Sequence, residues 1–440
     1  MQSDISSTPR RSAGFVARSL ATTGTRLLDL PSRYGLHLLI AARLSIADVG
    51  AFYIVFSVMT LVAGFGRLGV DRALTREVAG ALGRNAPATA RAAVRRAFVV
   101  TAAQSVLVAG LLAAAAIPVA GLVLHKPWLA IPFLLGALTI VPQNLSTTAA
   151  GALAGLGRVA SSQMIYSWLW PALFCGVALV LPLTVARTLL LIGGSLLLNA
   201  LVGIGLMFSA LPKVPNDAEK ARPGPYFRIG ISFFSLELIQ LAMASAPPFV
   251  LGMVASTAEV GRYALAWRIV LVLNILVSAM AAIASPQFAR FYAVNDRREL
   301  QRSAAQAVGL TVGLSLVPLL LLAIKPVFFL GLFGRGYDAA ATTLRILLAG
   351  QAALVLCTAM PELLGMAGCA RVLFKINTAA LATLMVSLAL LTPRFGAIGA
   401  ATATAATMLL NAVAVTFAVK RHLGFVPLVS VYKETRSRVA

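Results

Sequence analysis

Ionisable side chains are scarce in this sequence, and several lie where hydrocarbon is expected around them. The segment TGTRLLDLPSRYGLHLLIAARLS (23–45) carries Arg26, Asp29, Arg33 and His37. Asp29, Arg33 and His37 are spaced i, i+4, i+8 and fall on one helical face, with Arg26 a turn earlier. Facing lipid, each charge would cost about 2.5–3.5 kcal/mol on insertion scales. Facing a polar cavity, the stripe would be a cationic wall with an internal ion pair, and Pro31 would kink it and free a carbonyl. The structural alternative puts Arg26 and Asp29 in the interface as a packing pair. His37 adds an imidazole able to exchange protons near neutral pH.

A second such segment, FRIGISFFSLELIQLAMASAPPFVLGMV (227–254), holds Glu237 and Gln240 one turn apart, followed by Pro247 and Pro248. A carboxylate there could hold a coupling proton or sodium ion, or pair with an arginine. Arg268 and Asn274 lie in YALAWRIVLVLN (263–274), and Arg67 lies in FGRLGVDR (65–72). Arg67 is close enough to a span end to snorkel to the interface, whereas Arg268 is deeper. Arg345 and Glu362 read as packing or gating charges. The uncharged run PQNLSTT (142–148) suits either sugar hydroxyls or contacts between helices.

The elements that position these groups follow from composition. Hydrophobic residues make up 59% of the 440 and charged residues 12%, and mean hydropathy is +0.89. Apolar runs such as 105–124 and 271–288 are long enough to cross a hydrocarbon core of about 30 Å as helices. The fold class is therefore all-α, a polytopic membrane protein with twelve spans. They are expected near 22–43, 50–71, 97–124, 127–150, 159–182, 185–211, 227–254, 260–284, 304–330, 340–365, 372–391 and 396–419. Most of the 37 Lys and Arg residues fall in the N-tail, 72–96, 212–228, 290–302 and the C-tail. By the positive-inside rule both termini are cytoplasmic. The same rule accounts for the net charge of +23 without nucleic acid, since no soluble basic domain exists to bind it. Cys175, Cys357 and Cys369 lack metal-ligand spacing, so neither a zinc site nor a disulfide framework is expected. The first twenty residues are polar and basic without a signal-peptide core, and are expected to remain in the mature chain.

The chain repeats itself. SIADVGAFY (45–53) returns as STAEVGRYA (256–264), SLLLNALV (195–202) as TMLLNAVA (407–414), and Pro182 as Pro393. ALAGLGR (152–158) is answered more loosely by LLGMAGC (363–369). The polar, proline-rich stretch PKVPNDAEKARPGPYFR (212–228) separates the copies and reads as a flexible linker. The expected organisation is an N-terminal tail (1–21), an N-lobe (22–211), a linker (212–226), a C-lobe (227–419) and a basic C-terminal tail (420–440). Six spans per half give parallel repeats. Asp48 and Glu259 are expected to start helices, and Gly50 and Gly261 to permit a turn or close packing.

Four blocks carry a resemblance: ADVGAFYIVFSVMTLVAGFGRLGVDRALTREVA (47–79), AEVGRYALAWRI (258–269), LFGRGYDAAATTLRILL (332–348) and PRFGAIGAATATAATMLLNAV (393–413). In this order they resemble the bacterial polysaccharide flippases of the multidrug/oligosaccharidyl-lipid/polysaccharide exporter superfamily. The resemblance implies two six-helix lobes around a central cavity. It also implies transport of an undecaprenyl-diphosphate-linked oligosaccharide to the outer leaflet of the inner membrane, for surface polysaccharide export. A diphosphate cargo would be met by cavity cations, for which Arg33, Arg268, Arg26 and Arg67 are the candidates. Asp29, His37, Glu237, Gln240 and Asn274 are the candidate coupling or polar cavity groups, with H+ or Na+ as the ion. A polysaccharide polymerase and export machinery are the implied partners, beside membrane lipids. Drug/cation antiporters and peptidoglycan lipid flippases share the architecture and remain alternatives. A membrane polymerase or glycosyltransferase is disfavoured by the short outside loops. The glycine motifs lack a preceding strand and a GK[ST] ending, so no nucleotide loop, cofactor or ATPase activity is expected.

Overall fold

A computed structural model describes residues 28–212, 226–334 and 336–427. Among these residues every regular element is a helix. Residues 28–43 form α1, followed by α2 (Ile46–Arg67), α3 (Val70–Gly83), α4 (Pro87–Pro118), α5 (Ala130–Gly155), α6 (Val159–Gln163), α7 (Leu169–Ala178) and α8 (Val185–Ala210). Then come α9 (Tyr226–Val254), α10 (Thr257–Ala293), α11 (Arg297–Ile324), α12 (Pro326–Gly331), α13 (Ala341–Leu356), α14 (Met360–Met366) and α15 (Ala370–Leu423). Among the described residues, eight segments are long and apolar enough to cross a membrane. One of these is α15, whose 54 residues hold two spans divided at Gly396. With α1, α10 and the α6–α7 pair, each of the twelve expected spans has a helix among the described residues.

Several boundaries differ from the sequence reading. The basic 72–96 segment between the second and third expected spans is itself structured. It is a helical hairpin in which α3 buries Val70, Ala73, Leu74, Val78 and Ala81, and α4 begins ten residues before the expected span. A helix need not stop at the hydrocarbon boundary when its next turns have an apolar face to bury. The span at 50–71 starts earlier and breaks after Arg67, where Leu68 and Gly69 take positive φ. The fifth span passes through a π-helical turn, Met164–Trp168. The tenth is interrupted between Leu356 and Met360, just before Pro361. The linker's residues 213–225, the N-tail and residues 428–440 lie outside the described residues, and the expected C-tail begins as helix, since α15 runs to Leu423.

The chain forms two compact units, one of residues 1–44 and 58–238, the other of residues 45–57 and 239–440. In the first, α5 packs on α3, α4 and α8; in the second, α13 packs on α10, α11 and α15. Exposed side chains on α4 (Val99, Val106, Leu107, Leu111, Ile117) and on α11 (Leu310, Leu314, Val317, Leu321, Ile324) are apolar, as lipid-facing stripes must be.

Each unit's core is also polar in a repeated manner. In the first unit Asn144 is fully buried and donates to the Ala63 carbonyl at 3.0 Å and to Ser105 Oγ at 2.9 Å. In the second, buried Gln351 donates to Asn274 Oδ1 at 2.6 Å. Each half thus ties its fourth span to the equivalent point of its second. Thr148 bonds Thr101 and the Asn144 carbonyl, and Ser146 and Thr147 bond the Gln143 carbonyl. The PQNLSTT run therefore serves contacts within and between helices.

Repeat geometry extends to the turns. Gly157 and Gly368 have φ of 76° and 75°, and Asn85 and Asn295 both have φ of 54°. Each turn is closed by a bond reaching back five residues, from Arg158, Cys369, Ala86 and Asp296 respectively, the left-handed C-cap arrangement. The repeat's first motif supplies matching N-caps. Ser45 Oγ accepts from the Asp48 amide and donates to its carboxylate, and Ser256 Oγ accepts from the Glu259 amide. Asp48 and Glu259 do start their helices.

The two copies of that motif also meet within the second unit. A Cβ on Gly50 would overlap the Thr257 carbonyl oxygen, and one on Gly261 would overlap the Ile46 carbonyl oxygen. The first turns of α2 and α10 thus cross backbone to backbone, an approach open only to glycine. Glu259 has a second role there. Its Oε2 accepts from the Ala397 amide at 2.9 Å, capping the second half of α15 beside Gly396, whose φ of 54° and ψ of −131° break the helix.

Gly261→Ala is expected to destabilise the protein by about 1–3 kcal/mol, the usual range for overpacking. Gly194→Ala in α8, where an added Cβ would meet nothing within 4 Å, is expected to be neutral or stabilising. Thermal unfolding in detergent compares the two, and equal melting temperatures would remove the close-crossing argument.

Candidate functional site

Three of the four candidate cavity arginines have described surroundings, and they differ in what neutralises them. Arg33 Nε donates to Asp29 Oδ1 at 2.6 Å, with the two side chains 46% and 35% exposed. The i, i+4 spacing in α1 makes this pair local. His37, one turn further along, is half-buried. Arg26 lies outside the described residues.

Arg67 does not snorkel. Its guanidinium bonds Glu237 Oε1 of α9 at 2.6 Å, and the side chains are only 12% and 15% exposed. Around the pair, Phe65 and Phe234 stack edge to face with centroids 5.5 Å apart. Asp71 in the first turn of α3 lies within electrostatic reach of Arg67, Glu237 and Arg72. Its Oδ1 is buried without a hydrogen-bond partner, as is Arg67 Nε. The cluster therefore keeps one acceptor and one donor unused, a costly state in a low-dielectric surround. Two carboxylates thus share one guanidinium: Glu237 bonds it directly and Asp71 lies within electrostatic reach of it. Gln240, three residues after Glu237, is exposed.

Arg268 has a different environment. Half-buried in α10, its guanidinium lies 5.3 Å from the centroid of Tyr53 and 5.6 Å from that of Phe56. Both rings belong to the first half of α2, and cation–π attraction to them, together with a side-chain hydrogen bond to Tyr53, compensates part of the lost hydration. Among the described residues it meets no carboxylate. Asn274, also half-buried, sits six residues on and accepts from Gln351, whose Oε1 is buried and unpartnered. Of the two residues read as packing or gating charges, Glu362 accepts from Ser285 Oγ at 2.8 Å, and Arg345 donates to the Ala323 carbonyl. Both are packing contacts.

Residues 39–342 match the family described as polysaccharide biosynthesis protein. The chain belongs to this family. No curated protein matches it in sequence, but solved structures do in fold. An inward-facing multidrug resistance transporter of the MATE family, in the MOP superfamily, superposes with a TM-score of 0.73 at 13% identity, over 90% of this chain and 94% of that one. The lipid II flippase MurJ in an inward closed conformation gives 0.70 at 12%, over 92% and 87%. A MOP superfamily transporter from Pyrococcus furiosus gives 0.61 at 14%, over 93% and 95%. This polysaccharide biosynthesis protein thus has the MOP transporter fold and is a multi-pass membrane protein.

Sequence reasoning missed Asp71, Tyr53, Phe56 and Gln351. Asp71 had a signal, its place four residues after Arg67 in FGRLGVDR. The aromatic partners of Arg268 had none, because they lie in a distant helix with no charge to mark them.

Removing one member of a buried pair leaves the other charge unmet, which costs about 3–5 kcal/mol. Arg67→Ala and Glu237→Ala are each expected to lower stability by about that much. The double variant should cost far less than their sum, as a double-mutant cycle on thermal unfolding would register. Additive losses would mean that the two side chains do not depend on each other.

Proposed function

We propose that this protein flips an undecaprenyl-diphosphate-linked oligosaccharide from the cytoplasmic to the outer leaflet of the bacterial inner membrane. The cycle is alternating access, serving surface polysaccharide export, with both termini cytoplasmic. The observation that carries the reading is Arg268, a half-buried cation in an apolar helix, held against Tyr53 and Phe56 and answered by no carboxylate among the described residues. Such a group is suited to a cargo that brings its own negative charge, and a diphosphate accepts charge-assisted hydrogen bonds from guanidinium. Membership of a polysaccharide biosynthesis family supports a glycan as the rest of that cargo.

Arg33 is a further candidate cation for an anionic cargo, once its exposed pair with Asp29 opens. Glu237 and Asp71 are the carboxylates that a gradient-driven cycle would load with H+ or Na+. We assign no residue a catalytic role. Export of cationic drugs, the alternative on this fold, is disfavoured by Arg268, which would repel them.

Deleting the gene should trap lipid-linked glycan on the cytoplasmic leaflet and abolish surface polysaccharide. Complementation with Arg268→Ala should leave flipping about 10- to 100-fold slower at unchanged membrane abundance, the loss expected from one charged hydrogen-bonded contact. Normal glycan export in the deletion strain would overturn the reading, and full activity of the variant would overturn the role of Arg268.

A further inference from the structure

The α3–α4 hairpin carries a second concentration of cations, separate from the charges of the spans. Arg72, Arg76, Arg84, Arg91, Arg95 and Arg96 are all exposed. Of the two acids of this region, Asp71 lies within electrostatic reach of Arg67 and Arg72, and Glu77 is half-buried and already engaged. Arg76, Arg84, Arg91 and Arg95 have no hydrogen-bond or ion-pair acceptor among the described residues.

The hairpin is held firmly. Val70, Leu74, Val78 and Ala81 of α3 share one apolar cluster with Ala90, Ala93, Val94 and Ala97 of α4 and with Ala150, Ala152 and Leu153 of α5. Asn85 closes the turn in the left-handed conformation. The arginines therefore project from fixed backbone.

Their depth is set by α4 itself. Arg91, Arg95 and Val99 follow at i, i+4, i+8 on one face. Val99 is 62% exposed and begins the apolar stripe that continues through Val106, Leu107 and Leu111. At a rise of about 1.5 Å per residue, Arg95 and Arg91 stand roughly 6 and 12 Å beyond the first lipid-facing side chain. A headgroup layer extends about 5–8 Å beyond each hydrocarbon boundary. The series changes from apolar to cationic in the headgroup layer: Arg95 stands within it, and Arg91 lies roughly 4–7 Å past it, within reach of a long side chain directed back toward the phosphates.

We infer that this hairpin is a binding surface for the phosphates of anionic phospholipid headgroups, phosphatidylglycerol in particular. Unpaired guanidiniums at phosphate depth or within side-chain reach of it match that chemistry, and Arg91 and Arg95 are presented together from one face of a rigid hairpin. The role does not depend on what cargo is carried.

The test uses the full-length protein in neutral detergent, with bound lipid counted by native mass spectrometry. The probes are short-chain phosphatidylglycerol, phosphatidylcholine and undecaprenyl diphosphate. The wild type should retain phosphatidylglycerol over phosphatidylcholine, and salt should weaken the preference. The variant Arg76→Gln/Arg84→Gln/Arg91→Gln/Arg95→Gln should lose at least about tenfold in phosphatidylglycerol affinity. Its melting temperature and its undecaprenyl diphosphate binding should be unchanged. Equal retention of the two phospholipids by the wild type, a preference insensitive to salt, or a variant that loses only undecaprenyl diphosphate would overturn the inference. The salt series on the wild type decides the matter even if the variant does not fold.

Discussion

A guanidinium carried into hydrocarbon must be neutralised on the spot, and this requirement organises the charged chemistry of the protein. Three solutions are present. Arg33 meets Asp29 within one helix, Arg67 meets Glu237 across helices, and Arg268 meets aromatic faces. The first two are ion pairs, in which Coulomb attraction offsets desolvation. The third leaves the positive charge only partly compensated, since a ring quadrupole attracts a cation more weakly than a carboxylate does. That difference makes Arg268 the group with most to gain from an anionic cargo.

The remaining polar groups are handled by bonding helices together. Asn144, Gln351 and Asn199 are buried amides that each reach another helix or its backbone. Asn199 donates to the Ile165 carbonyl inside a π-helical turn, where the wider winding leaves a carbonyl without its usual partner. Glu259 serves a comparable need at the break in α15. Breaks in helices are tolerated at membrane depth only where such groups re-satisfy the backbone, and here the satisfying side chains come from neighbouring helices.

Much of the fold was legible because its signals are local. Hydropathy located the spans, and the Ser-x-x-acid motifs at 45–48 and 256–259 marked two helix starts that proved to be matching caps. The repeat was also visible, but not its consequence that Gly50 and Gly261 pack at each other's helices. Pairing was the least legible property. Glu237 was read as a group that might pair with an arginine, yet nothing in sequence pointed 170 residues away to Arg67. For Arg67 itself the spacing near a span end favoured snorkelling, and a tertiary contact outweighed it. The α3 helix escaped notice because its charged face, read alone, resembles a cytoplasmic loop. Arg26 and the linker lie outside the described residues, so their expected roles stand as first stated.

The central claim is that Arg268 recognises a lipid-linked phosphate. Affinity of the purified protein for undecaprenyl diphosphate and for uncharged undecaprenol, compared between wild type and Arg268→Ala, addresses it directly. The account predicts that the wild type prefers the diphosphate and that the variant loses the preference while binding undecaprenol unchanged. A variant that keeps the full preference for the diphosphate would contradict it.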